Sequence, residues 1–158
     1  MEFDSLRLDA IDRKILARLQ RDSTIQNQQL ASEVGLSSSP CHRRVRALEE
    51  AGFIRGYVAL LDGPSIGAGF VAYVEVRLER QAVEFSERFE KAAIARAEIL
   101  ECARVTGDYD YLLKVATRDI EAFHRFLIDF LTRIKGIANT RTSIAMNRVK
   151  ETTALPLP

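Results

Sequence analysis

Two short runs hold most of the side chains able to do chemistry. The first is Ser37-Ser38-Ser39-Pro40-Cys41-His42-Arg43-Arg44-Val45-Arg46. An arginine fork can read guanine with two parallel hydrogen bonds or clamp a phosphate. Serine hydroxyls and an imidazole add donors, and a helix start with free N–H groups binds phosphate. The second run is Gly107-Asp108-Tyr109-Asp110. Its glycine lets backbone N–H groups come close to a carboxylate. Asp110 there has two open roles: it takes an ammonium group, or it holds the loop's shape by bonding its own backbone. Thr140, Thr142 and Ser143, further along, supply hydroxyls from the same or a neighbouring subunit.

Other chemistry finds little support. His42 and His124 are isolated, and no GxSxG, HExxH or GxxxxGK[ST] run occurs. Asp108 and Asp110 read as turn residues before they read as a catalytic pair. Cys41 and Cys102 stand far apart, which suits neither a disulfide framework nor a zinc site. No enzymatic activity, metal or cofactor is expected, only a small-molecule effector. Basic and acidic residues number 23 and 22, so any DNA-binding surface must be a local patch. No stretch approaches the roughly 18 apolar residues of a membrane span, and the start does not resemble a secretory signal. The expectation is a cytoplasmic protein with no membrane partner.

These runs need elements to hold them. Leu8, Ile11, Ile15, Leu16 and Leu19 fall on one helical stripe, with Asp9 as N-cap and Asp12 in the first turn. A short second helix is capped by Asn27, packs Leu30, Ala31 and Val34 inward, and stops at Gly35. The third begins in the serine run, whose hydroxyls are expected to meet its free N–H groups. Cys41, Val45 and Leu48 line its inner side, and Gly52 closes it. Ile54 to Leu61 reads as a strand. Two helices about a tight turn, packed on a third, match the helix-turn-helix plan, whose last helix enters the major groove. Ser37 marks that helix's start. Ser38, Ser39, His42, Arg43 and Arg46 are expected at base edges, with Asn27 and Arg44 on phosphates.

The rest alternates differently. Gly63-Pro64 and Gly67-Ala68-Gly69 mark a hinge at residues 62–68. A strand with one buried face runs from Phe70, followed by a helix with Phe85, Phe89, Ala92 and Ala93 inside. Ile99–Thr106 and Tyr111–Thr117 read as a hairpin about the Gly107–Asp110 loop. Asp119 caps a helix with Ile120, Phe123, Leu127, Phe130, Leu131 and Ile134 inward, ended by Gly136, and a long strand covers Ile137–Val149. The expected division is residues 1–61, a linker at 62–68, a βαββαβ domain at 69–150, and a frayed tail at 151–158. The βαββαβ order leaves one sheet face partly uncovered, which favours pairing of subunits.

Taken in order and spacing, these pieces resemble the Lrp/AsnC family of feast/famine regulators over nearly the whole chain. The matching residues are Leu8-Asp9-Ala10-Ile11-Asp12, Leu30-Ala31 through Ser37, Ser39-Pro40-Cys41 with Arg43-Arg44-Val45, and Gly52-Phe53-Ile54. Val105 through Lys114, Gly136-Ile137 and Thr140-Arg141-Thr142 complete the set. The resemblance implies an α+β chain: a winged-type helix-turn-helix, then a ferredoxin-like domain that binds effector and assembles subunits. It implies a transcriptional regulator that binds double-stranded DNA at palindromic operators, forms dimers that join into octamers or similar rings, and holds amino acids between dimers. It places the Gly107–Asp110 loop at the effector site and gives the strand around Thr140 to Ile144 a part in the response. Ser143 stands where leucine-responsive members carry an aromatic residue, which leaves room for a different or more polar effector.

Overall fold

Asp9 accepts the N–H groups of Ile11 and Asp12 at 2.8 Å each, and Asp12 reaches back to the N–H of Asp9. Helix α1 (Ala10–Leu19) therefore opens with a reciprocal capping box. The computed structural model describes residues 8–79 and 83–157. It forms two units: one runs to Leu60 and takes in the chain end from Lys150, and the other is Leu61–Val149.

In the first unit, α1, α2 (Asn27–Val34) and α3 (Ser38–Glu50) enclose Ile15, Leu30, Ala31, Val34, Cys41 and Leu48. Gly35 takes φ +77° at the end of α2, a left-handed turn that costs glycine little. The N-cap of α2 is Gln26, not Asn27; Asn27 is the helix's first residue and its amide Nδ2 donates to the Ser38 carbonyl at 2.8 Å. Ser37 is the N-cap of α3, but its side chain makes no capping hydrogen bond. The expected strand over Ile54–Leu61 is not formed. Phe53 and Ile54 both donate to the Leu48 carbonyl, closing α3, and no strand among the unit's described residues offers the chain beyond them a ladder. Val58, Leu60 and Leu61 are left exposed.

The tail expected to be frayed is bonded to the first unit. Gln20 pairs with the backbone of Leu155, and Leu157 packs against the core of the first unit.

In the second unit the sheet order is β2-β3-β1-β4, all antiparallel, from β1 (Phe70–Leu78), β2 (Ile99–Arg104), β3 (Tyr111–Thr117) and β4 (Ile137–Ile144). Helices α4 (Val83–Ile94) and α5 (Ile120–Asp129) cover one face. Alternate β1 residues Ala72, Val74, Val76 and Leu78 meet Phe89, Phe123, Phe126 and Phe130 there. The segment expected as a linker is folded: Pro64–Ile66 is a 3-10 turn, held by Ser65 N–H on the Asp62 carboxylate and Ala68 N–H on the Gly63 carbonyl. Two strands are shorter than their β-rich runs, and β2 stops because its partner ends. Arg104 faces Tyr111, the first residue of β3, and Ile144 faces Ala72 near the start of β1. Asp119 caps α5 through the N–H of Ala122. Ile120 lies exposed and Phe126 is buried instead, because α5 begins at Ile120 and breaks at Phe130, not at Gly136.

Candidate functional site

The three arginines of α3 have different surroundings. Arg44 Nη1 donates to Asp9 Oδ2 and Asp12 Oδ1, at 2.8 Å each. It ties the third helix to the first turn of α1. Asp9 is consequently held below the usual carboxylate range, by the Asp12 N–H first and then by Arg44 and the Ile11 N–H. Arg44, expected at a phosphate, has both of these acceptors inside its own unit. Asn27 is likewise engaged inward, on the carbonyl at the start of α3.

Arg43 and Arg46 are exposed and form no ion pair with any described residue. Ser39, Arg43 and Arg46 follow the i, i+4, i+7 spacing of one helical face, with Ser38 and His42 exposed beside them. The first N–H groups of α3 have no partner within the helix, and the Ser37 side chain does not cap them. The positive end of the helix dipole, two uncommitted guanidinium groups and three hydroxyls therefore share one exposed helix end. That arrangement can accept phosphate and present forked donors to base edges.

The second candidate site lies where the β2–β3 loop meets the sheet. Gly107 takes φ +113°, with open space where a Cβ would sit. Asp110 anchors the loop. Its N–H donates to the Val76 carbonyl at 2.9 Å, and its Oδ2 accepts the Leu78 N–H at 2.8 Å. Glu79 N–H points to the β4 side, onto Gly136, so the N–H of Leu78 points the other way, past the start of β3. Asp110 supplies the acceptor that β3 is too short to give. The Asp110 side chain thus ties the loop to β1 and not to the loop's own backbone. Asp110→Ala should therefore destabilise the second unit by about 1–3 kcal/mol, the cost of orphaning a partly buried donor. Asp110→Asn, which keeps an acceptor oxygen, should retain most of that stability. Urea midpoints compare the three proteins, and equal midpoints for wild type and Asp110→Ala would contradict this assignment.

Arg141, which is not among the expected site residues, lies beside the loop. It pairs with Glu75 across the β1–β4 ladder, and its guanidinium lies 5.3 Å from the Tyr109 ring centroid. Glu75 raises the Arg141 pKa, and Tyr109 and Asp108 add to that pull. The signal in the sequence was the alternation that puts Tyr73, Glu75 and Arg77 on one face of β1. The hydroxyl residues of β4 divide. Thr140 and Thr142 are in register with Val76 and Val74 on the helix-covered face, whereas Ser143 is in register with Tyr73 on the other. Asp108, Tyr109 and Arg141 are thus gathered in one chain, and Thr140, Thr142 and Ser143 are not gathered onto one face. Among the described residues no cluster of three or more His, Cys, Asp and Glu side chains forms a metal site, and no helix is long and apolar enough to cross a membrane.

Comparison with known proteins covers both units. Residues 8–55 match the winged helix-turn-helix DNA-binding family model, and residues 71–155 match that of the Lrp/AsnC ligand binding domain. The leucine-responsive regulatory protein of Escherichia coli K12 is 45% identical over 148 residues, spanning 94% of this chain and 90% of that protein. A transcriptional regulator of Neisseria meningitidis, solved with L-Met, superposes with a TM-score of 0.90 at 38% identity, covering 94% of this chain and 96% of that one. An AsnC family regulator from Agrobacterium tumefaciens superposes with a TM-score of 0.90 at 40% identity over the same shares.

Proposed function

The chain belongs to the Lrp/AsnC family of transcription regulators, and from that premise we propose that α3 reads DNA at paired half-sites under the control of a free amino acid bound by the sheet unit. One observation carries the DNA-binding part. Arg44 is committed to Asp9 and Asp12, while Arg43 and Arg46, flanking it, are exposed and uncommitted. Helix packing has used one arginine and left the other two for a partner. Ser38, Ser39 and His42 join them toward base edges, and the start of α3 at Ser37 takes a phosphate.

The effector part rests on the loop. Arg141 beside Tyr109 and Asp108 offers a cation for an amino-acid carboxylate and a carboxylate for its ammonium, and the backbone N–H groups about Gly107 add donors. The Neisseria meningitidis relative, solved with L-Met, supports a free amino acid as the ligand class. Thr140, Thr142 and Ser143 complete the site from a second subunit. The protein is a two-fold dimer, built through the helix-free sheet face, and its dimers join into octamers or similar rings. Two recognition helices then sit about one DNA turn apart, roughly 34 Å, or a multiple of it, and the operator is palindromic. It acts as a binding protein and not as an enzyme, in the cytoplasm with the DNA it regulates.

A single set of measurements tests this. Duplexes selected from a random pool are titrated with protein at several salt concentrations, with and without L-methionine and the other amino acids. Selected duplex should bind about 1,000-fold or more tighter than unselected duplex, with affinity falling steeply as salt rises. At least one amino acid should change that affinity by about 5- to 150-fold. Light scattering on the same samples should report dimers or larger. Equal affinity for selected and unselected duplex would remove the proposal.

A further inference from the structure

We infer that the C-terminal tail is a second tether for the DNA-binding unit, fastened at Gln20, and that it fixes the spacing at which paired recognition helices meet DNA. The inference rests on the reading of the chain as a dimeric DNA-binding regulator. Gln20, the C-cap of α1, uses both ends of its amide on one residue. Its Oε1 accepts the Leu155 N–H at 2.6 Å, and its Nε2 donates to the Leu155 carbonyl at 3.1 Å. The Leu155 side chain is itself exposed, so the amide reads backbone, as a neighbouring strand would. Leu157 packs on the core of the first unit two residues further on. Pro156 between them fixes one backbone angle, and Thr152 Oγ1 accepts the Ala154 N–H at 3.1 Å, so part of the tail's ordering is local.

The chain path gives this fastening its consequence. The chain leaves the first unit after Leu60 and re-enters it at Lys150. Two covalent connections therefore join the units. A body held by one flexible segment can swivel about it, whereas a second attachment at a separate point removes orientations. The second connection follows directly from β4, through Ala145, whose N–H is bonded to the Val71 carbonyl. Both connections of the DNA-binding unit thus lead to the sheet unit. In a dimer, the orientations that two connections allow determine which half-site separations both α3 helices can occupy.

The test uses the full chain, Gln20→Glu, and a chain ending at Glu151. Gln20→Glu keeps size and one acceptor but loses the donor to the Leu155 carbonyl and sets a carboxylate against it. Duplexes carry the half-site selected by the wild-type protein at separations varied one base pair at a time. For wild type, a shift of about 5 base pairs, half a DNA turn, should cost about tenfold or more in affinity. For both variants that penalty should shrink to about threefold or less, with binding to an isolated half-site unchanged. A spacing profile in Gln20→Glu that matches wild type overturns the inference, as does a wild type indifferent to spacing. Should the truncated chain fail to fold, Gln20→Glu alone decides. If the wild-type protein selects no duplex at all, the DNA-binding reading fails separately, and amide exchange still judges the tether. The Leu155 N–H should be protected in wild type and lose protection in Gln20→Glu, and an unprotected wild-type Leu155 overturns the inference.

Discussion

Replacing Arg43 and Arg46 together by alanine is expected to weaken binding to the selected duplex by about 2–6 kcal/mol, from about 1–3 kcal/mol for each bidentate base contact. Both side chains are exposed on the outer face of α3 and make no ion pair with a described residue, so the loss should come from DNA and not from folding. Two contributions can be separated. Where an arginine reads a base, its removal relaxes the sequence preference at one position in each half-site. Where it holds a phosphate, affinity falls alike on all sequences and the salt slope drops by about one unit. Arg44→Ala is the internal control. It removes the clamp on Asp9 and Asp12, lowering the unit's melting temperature while leaving sequence preference as it was. Fluorescence anisotropy on selected and scrambled duplexes measures all three variants. Wild-type affinity and specificity in the double variant would show that α3 is not the reading helix.

Gly136→Ala is expected to cost the second unit about 2–4 kcal/mol. Gly136 is buried just ahead of β4, with φ +99°, where a side chain clashes with its own backbone. A Cβ at this position would also overlap the edge of the Phe85 ring. Phe85 cannot simply swing out, because it packs against the core of Phe89, Phe123 and their neighbours. Overpacking of this kind costs about 1–3 kcal/mol, and the strained backbone adds about 1 kcal/mol more. Gly136 also accepts the Glu79 N–H at 2.8 Å, so its movement loosens the β1–β4 junction. Denaturant unfolding followed by far-ultraviolet circular dichroism should show the lowered midpoint. An unchanged midpoint would mean that Phe85 has room to move that the packing does not show.

The elements that repeat locally were readable from residue order alone. The stripe of α1, the glycine stop of α2 and the alternation of β1 each follow from patterns within a dozen residues, and each formed where expected. Helix caps and the end of α5 were misread locally, but the failures that bear on the sites share a cause: they depended on pairings distant in sequence. Three arginines in the α3 run look alike until α1 brings Asp9 and Asp12 to one of them, and the sequence separations of 35 and 32 residues carry no local signature. Asp110 could not be assigned without the strand register, because only the register shows that the N–H of Leu78 extends past β3. Arg141 was read as part of a family motif and not as a site residue, since its partner Glu75 lies 66 positions away. Ile54–Leu61 has strand composition but no strand among the described residues pairs with it. The tail resembled a loose end because its partner, Gln20, is 135 residues earlier.

That last pairing also orders events in time. A chain made at about 5–20 residues per second takes roughly 5–20 seconds to pass from Leu61 to Val149. Throughout that interval the helices of the first unit have been synthesised, but Leu157, which packs on their core, has not. The part of the protein synthesised first therefore gains its last core side chain only when residue 157 is added. Until then the three helices lack a side chain that packs against their core.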